Sequence, residues 1–179
     1  MNIRSFSLKP FPSAVLLPHL KITGNIGRCL NTLSISYELS GTLEEVSIPA
    51  QADMRVRKNG LWEETCFEFF LGIKDSDRYW EFNLSPAGHW NIYRFTSCRQ
   101  GMQEEPTLMT LPFRLRTQPE TLLLSLELDL DRIIQPGEAL QVGISAVIKT
   151  IHGGVMCWSL THPGPRPDFH RRDSFIIEL

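Results

Sequence analysis

Twelve prolines and twelve glycines punctuate this 179-residue chain so evenly that the longest stretch free of both is Glu120 to Gln135. Proline removes a helix hydrogen bond and clashes with the preceding turn, and glycine costs about 1 kcal/mol in a helix interior. A helix bundle or coiled coil needs longer uninterrupted segments than these breaks allow. Short strands joined by turns are what remains. The length suits one domain, residues 1–179, large enough to bury a core without a metal or disulfide staple.

Period-two alternation supplies the strands. In Thr121 to Leu130 every even position is leucine, and the intervening residues are mostly polar. Leu140 to Thr150 alternates likewise, and Cys66 to Ile73 places Phe67, Phe69, Leu71 and Ile73 on one face. Tyr79 to Leu84 turns Trp80, Phe82 and Leu84 one way and Tyr79, Glu81 and Asn83 the other. Further strands are expected at Ile3–Leu8, Leu20–Asn25, Leu33–Leu39, Glu44–Ile48, Trp90–Phe95, Pro112–Arg116, Val155–Leu160 and Phe175–Leu179, with one helical turn in Asp129–Gln135. About ten short strands in one domain predict an all-β fold, an antiparallel β-sandwich of jelly-roll or immunoglobulin-like form.

Eighteen basic against twenty acidic residues give a net charge of -2. That balance supplies no whole-protein field for nucleic acid or an anionic membrane, although it leaves room for a local patch; neither is expected as a partner. The segment Met1 to Lys9 lacks the apolar centre of a signal peptide, and a cytoplasmic location is expected. Cys29, Cys66, Cys98 and Cys157 are widely spaced without C-x-x-C, which suits reduced thiols.

The polar residues concentrate on one strand face. The strand after Gly60 carries Trp62, Glu64, Cys66 and Glu68 opposite its apolar face. If it pairs with Tyr79–Leu84, then Glu68, Glu81 and Asn83 share a surface. A four-residue turn, Ser85 to Gly88, would set Asn83 opposite Trp90 and add Arg94. Carboxylates, an amide, a guanidinium and indoles on one face suit a sugar, whose hydroxyls need donors and acceptors and whose C–H face packs on an aromatic ring. The alternative is an ordinary solvated sheet face.

Two blocks resemble a known group: GLWEETCFEFFLGIKDSDRYWEFNLSPAGHWNIYRFTSCRQGM (60–102) and CWSLTHPGPRPDFHRRDSF (157–175). They are similar to DOMON-like domains of the superfamily that contains family-nine carbohydrate-binding modules. The nearest subgroup is one named after UDP-N-acetylenolpyruvoylglucosamine reductase. The motifs cover about a third of the chain. The resemblance implies a β-sandwich acting as a non-catalytic module for a carbohydrate or sugar-containing metabolite. It implies that Trp62 and Trp158 clasp a sugar ring, that Glu68 accepts from its hydroxyls, and that Asn83 and Arg94 complete the polar set. The HPGPRPDFH run (162–170) departs from the sugar-binding relatives.

Other classes stay open. Some DOMON domains bind haem, for which His89, His152, His162 or His170 with Met102 or Met156 are candidate axial ligands. Glu68 and Glu81 have the residue types of a glycosidase pair, and His162, Asp168 and His170 those of a metal-hydrolase site. A protein-interaction sandwich with no small ligand is the remaining class.

Overall fold

The computed structural model describes residues 2–12 and 19–179. Its strands, in chain order, are β1 (Asn2–Ser7), β2 (Lys9–Pro10), β3 (Lys21–Cys29), β4 (Thr32–Ser40), β5 (Cys66–Ile73), β6 (Tyr79–Leu84) and β7 (Trp90–Phe95). They continue as β8 (Gln103–Glu104), β9 (Phe113–Gln118), β10 (Thr121–Asp129), β11 (Leu140–Lys149), β12 (Val155–Ser159) and β13 (Ile177–Glu178). One sheet has the order β1-β3-β4-β10-β9, the other β2-β12-β11-β5-β6-β7-β8, with β13 beside one end of β11. All pairings between these strands are antiparallel. The all-β sandwich expected from punctuation and alternation is the observed fold.

The alternating leucines of β10 face inward from the first sheet, and Phe67, Phe69, Leu71, Phe82 and Leu84 face them from the second. Phe69 and Phe82 stack at 4.3 Å between ring centres. Each large side chain fully withdrawn from water contributes about 1.5–3 kcal/mol before conformational entropy is charged.

Two expected strands change. Glu44–Ile48 is instead a 3-10 turn, Leu43–Glu45, because Gly41 at φ +121 leads out of β4 and the Glu45 and Val46 N–H groups bond back to Thr42 and Leu43. Phe175–Leu179 shrinks to the two residues of β13, because a second such turn, Arg172–Ser174, leads into Phe175. The Asp129–Gln135 turn is present as Ile133 and Ile134 N–H bonds to the Leu130 carbonyl.

The second sheet is covered on its other face too. Phe70, Tyr79, Tyr93, Phe95 and Phe175 form a separate aromatic cluster there, with Phe169 against it. The chain after β12 reaches this position through two glycines. A Cβ on Gly143 would lie 2.7 Å from the Phe175 ring, and one on Gly72 would coincide with the Arg172 guanidinium. That guanidinium donates to the Ile73 carbonyl and to Gln141 Oε1. The C-terminal segment is thereby pinned across β11 and β5.

Candidate functional site

The pinned segment and the sheet beneath it enclose a cleft of about 440 Å³, within the range of small-molecule sites. Its floor comes from neighbouring strands: Glu68 of β5, Glu81 of β6, Val147 of β11 and Cys157 of β12. Its walls include Trp62, Phe95, Arg99, Met102, Phe169 and His170. Trp62 is not part of the β5 strand. It sits in the 3-10 turn Leu61–Glu63, which Gly60 enters at φ +70. This turn leaves the indole 39% exposed, edge-on to Tyr93.

Alternation brings Glu68 and Glu81 onto one face. Glu68 stands opposite Asn83 and Glu81 opposite Phe70, so the two acids are diagonal neighbours. They are 3% and 5% exposed. Burial pushes the Glu68 carboxyl well above the usual carboxylate range, the Glu81 charge pushes the same way, and a Ser145 hydroxyl hydrogen bond at 3.3 Å partly offsets both. Glu81 is also raised by burial, against the pull of an Asn83 amide hydrogen bond and of Arg99. Both carboxyls are therefore harder to ionise than separate surface glutamates.

His170 and Arg99 are fixed by a closed circuit of hydrogen bonds. The Arg99 N–H donates to the Tyr79 hydroxyl, which lies 2.8 Å from His170 Nδ1. The His170 N–H and Arg99 Nη2 both donate to Asp168 Oδ1. With the Tyr79 proton directed to Nδ1, Nε2 carries the hydrogen of a neutral ring and lies 3.7 Å from Glu81 Oε2. Burial and the Arg99 charge lower the His170 pKa to about 4, so the imidazole is uncharged at neutral pH.

Trp62, Glu68 and Glu81 therefore line one cleft, and three other expected site residues do not. Asn83 shares their face but is fully covered, donating to Glu81 Oε1 and taking the Cys66 thiol on Oδ1, so it holds Glu81 in place. Arg94 lies on the opposite face. The β6–β7 turn is a three-residue loop, Pro86 to Gly88, with Gly88 at φ +93 and Ser85 paired to His89. Asn83 consequently meets Asn91, and Arg94 meets Trp80 and bonds Gln103. The expected four-residue turn was one residue out of register, which reverses every side chain beyond it. Trp158 is in the main core, 4% exposed, opposite Ala146. Met156, Trp158 and Leu160 share that buried set, which leaves Val155 and Cys157 to the cleft.

Residues 163–171 and 97–101 supply cleft walls from loops, where no periodicity reveals direction. The three proposed metal ligands do not converge: His162 Nε2 bonds the Lys9 carbonyl, Asp168 bonds Arg99, and His170 bonds Tyr79. Among the described residues no three His, Cys, Asp or Glu side chains gather as a metal site. Of the haem-ligand candidates, His170 and Met102 share the cleft while Met156 is in the core. His170 has one nitrogen engaged by Tyr79 and the other directed at Glu81, which does not fit an axial ligand.

No protein-family model matches the chain, and no curated protein matches it by sequence. Its fold matches that of a candidate carbohydrate-binding protein from Bacteroides uniformis, with a TM-score of 0.75 at 16% identity over 97% of this chain and 84% of that one. It also matches a family-nine carbohydrate-binding module from Caldicellulosiruptor kristjanssonii in complex with glucose, with a TM-score of 0.54 at 10% identity over 93% and 78% of the two chains. A family-nine module from the same organism in complex with cellotriose gives 0.52 at 10% identity over 91% and 75%. At these identities the likeness is one of fold.

Proposed function

We propose that the chain is a non-catalytic module that binds a carbohydrate or sugar-containing metabolite in the Trp62–Glu68–Glu81 cleft. The observation that carries this reading is the union, in one small cleft, of a half-exposed indole with two buried carboxyl groups. A pyranose ring would lay its C–H face on Trp62. Its hydroxyls would find acceptors on Glu68 and Glu81 and donors on Arg99 and His170 Nε2. The likeness in fold to modules crystallised with glucose and cellotriose supports the sugar class. The motifs in 60–102 and 157–175 support placement in the DOMON-like superfamily, with the reductase-named subgroup as the finer proposal.

The non-catalytic reading is supported by the fold neighbours, which are carbohydrate-binding modules.

An aromatic contact of about 0.5–1.5 kcal/mol and several hydrogen bonds of about 1 kcal/mol each suit micromolar to millimolar affinity. Calorimetry against glucose, N-acetylglucosamine, cellobiose and UDP-N-acetylmuramate tests this. At least one should bind, and Trp62→Ala should weaken it by about tenfold, the equivalent of about 1.4 kcal/mol. No binding of any of the four at millimolar concentration would remove the sugar reading.

A further inference from the structure

The charges around the cleft do not balance. Glu68 and Glu81 lie in its floor, and among the described residues neither has a lysine or arginine salt-bridge partner. His170, next to Glu81, is neutral as argued above. Among the described residues, Arg99 is the only lysine or arginine lining the cleft, and Asp168 already engages it at 2.8 Å. Glu68 is held on one oxygen only, by the Ser145 hydroxyl on Oε2. Its carboxyl is almost wholly withdrawn into the cleft floor.

The approach to the cleft has the same sign. A more open groove adjoins it at Trp62 and Met102, lined by Asn59, Glu63, Tyr93 and Glu104 and by no lysine or arginine. Aromatic rings line both spaces. Trp62 stands where the two spaces meet, and Phe95 and Phe169 form walls of the inner one. Buried carboxyls with aromatic walls, beside a single arginine already engaged by Asp168, form surroundings that hold an ammonium group, through charge pairing below and ring faces at the side.

We propose that the cleft selects a ligand carrying a protonated amine, set against the Glu68 and Glu81 carboxyls; on the sugar reading above, which this inference extends, the ligand is an amino sugar whose nitrogen is not acylated. A neutral sugar would bring no positive charge to the acids. An ammonium group would pair with them by charge and by N–H donors. An N-acetyl group removes the charge and adds bulk at the same atom.

The test compares wild-type protein with Glu68→Gln and Glu81→Gln, calorimetrically near neutral pH, against glucosamine, glucose, N-acetylglucosamine and phenethylamine. Glucosamine should bind the wild type about tenfold or more tighter than glucose or N-acetylglucosamine. Each glutamine variant should lose that preference, binding glucosamine no more tightly than glucose. Glucose or N-acetylglucosamine binding as tightly as glucosamine would overturn the amine selection and leave the sugar reading standing. Phenethylamine binding without any sugar would uphold the amine selection and remove the sugar reading. If none of the four binds the wild type, the amine selection falls, and the sugar reading is decided by cellobiose and UDP-N-acetylmuramate. The wild-type comparison decides the matter even if a variant fails to fold.

Discussion

Glu68 is the residue on which both stability and recognition turn. Its carboxyl is raised by burial and by Glu81, so the folded protein holds a proton there that the unfolded chain releases near the usual glutamate value of 4.5. Stability from this group is therefore present below that value and declines as pH rises through the folded pKa. Glu68→Gln, which keeps the shape and removes the ionisation, should flatten the fall in melting temperature between mildly acidic and alkaline pH. An unchanged pH profile in the variant would contradict the assignment. His170 acts in the opposite direction. Its pKa is lowered from 6.5 to about 4, so the unfolded chain takes up a proton first, and stability is lost as pH falls through that interval. His170→Gln should remove that acid-side loss, followed by the same melting curves. Glu68 and Glu81 were legible in the sequence because alternation along β5 and β6 fixes their face. Trp158 was not, because the indole chemistry that suits a sugar also suits a core, and the apolar neighbours Met156 and Leu160 decide in favour of the core. The wall residues Arg99 and His170 lie in loops, where direction depends on distant contacts.

At the scale of elements, the segment after β12 makes the cleft, and two glycines make room for the segment. Gly143→Ala would set a Cβ 2.7 Å from the Phe175 ring and force it off β11. We expect a loss of about 1–3 kcal/mol in denaturant unfolding, typical of overpacking, together with weakened ligand binding because Phe169 and His170 move with the segment. Full stability and full affinity in this variant would show that the segment is not pinned there. The β6–β7 hairpin makes the converse point. Its existence was legible from Ser85-Pro86-Ala87-Gly88, yet its register depended on whether the loop held three residues or four, and that one residue decided the face of Arg94.

For the molecule as a whole, proline and glycine spacing excluded helices, and alternation supplied two opposed apolar faces, which between them specify a sandwich. The covering of the second sheet's other face was hidden, because it joins Phe70, Tyr79 and Phe95 to Phe175 far along the chain. One main core spans both sheets. We therefore expect residues 1–179 to unfold in a single cooperative transition, with calorimetric and van't Hoff enthalpies equal, and with the midpoint rising as ligand is added. Two separated transitions would contradict a single domain.

The central claim is that one cleft, formed by Trp62, Glu68 and Glu81, holds the ligand. Its most direct test is a crystal structure of the protein saturated with the tightest-binding sugar from the calorimetric panel. The account predicts the sugar ring against the Trp62 indole, with polar atoms within hydrogen-bond distance of Glu68 and Glu81. A sugar seated elsewhere, for instance in the groove of the first sheet beside Phe113, Arg114 and Ser125, with the cleft empty, would contradict it.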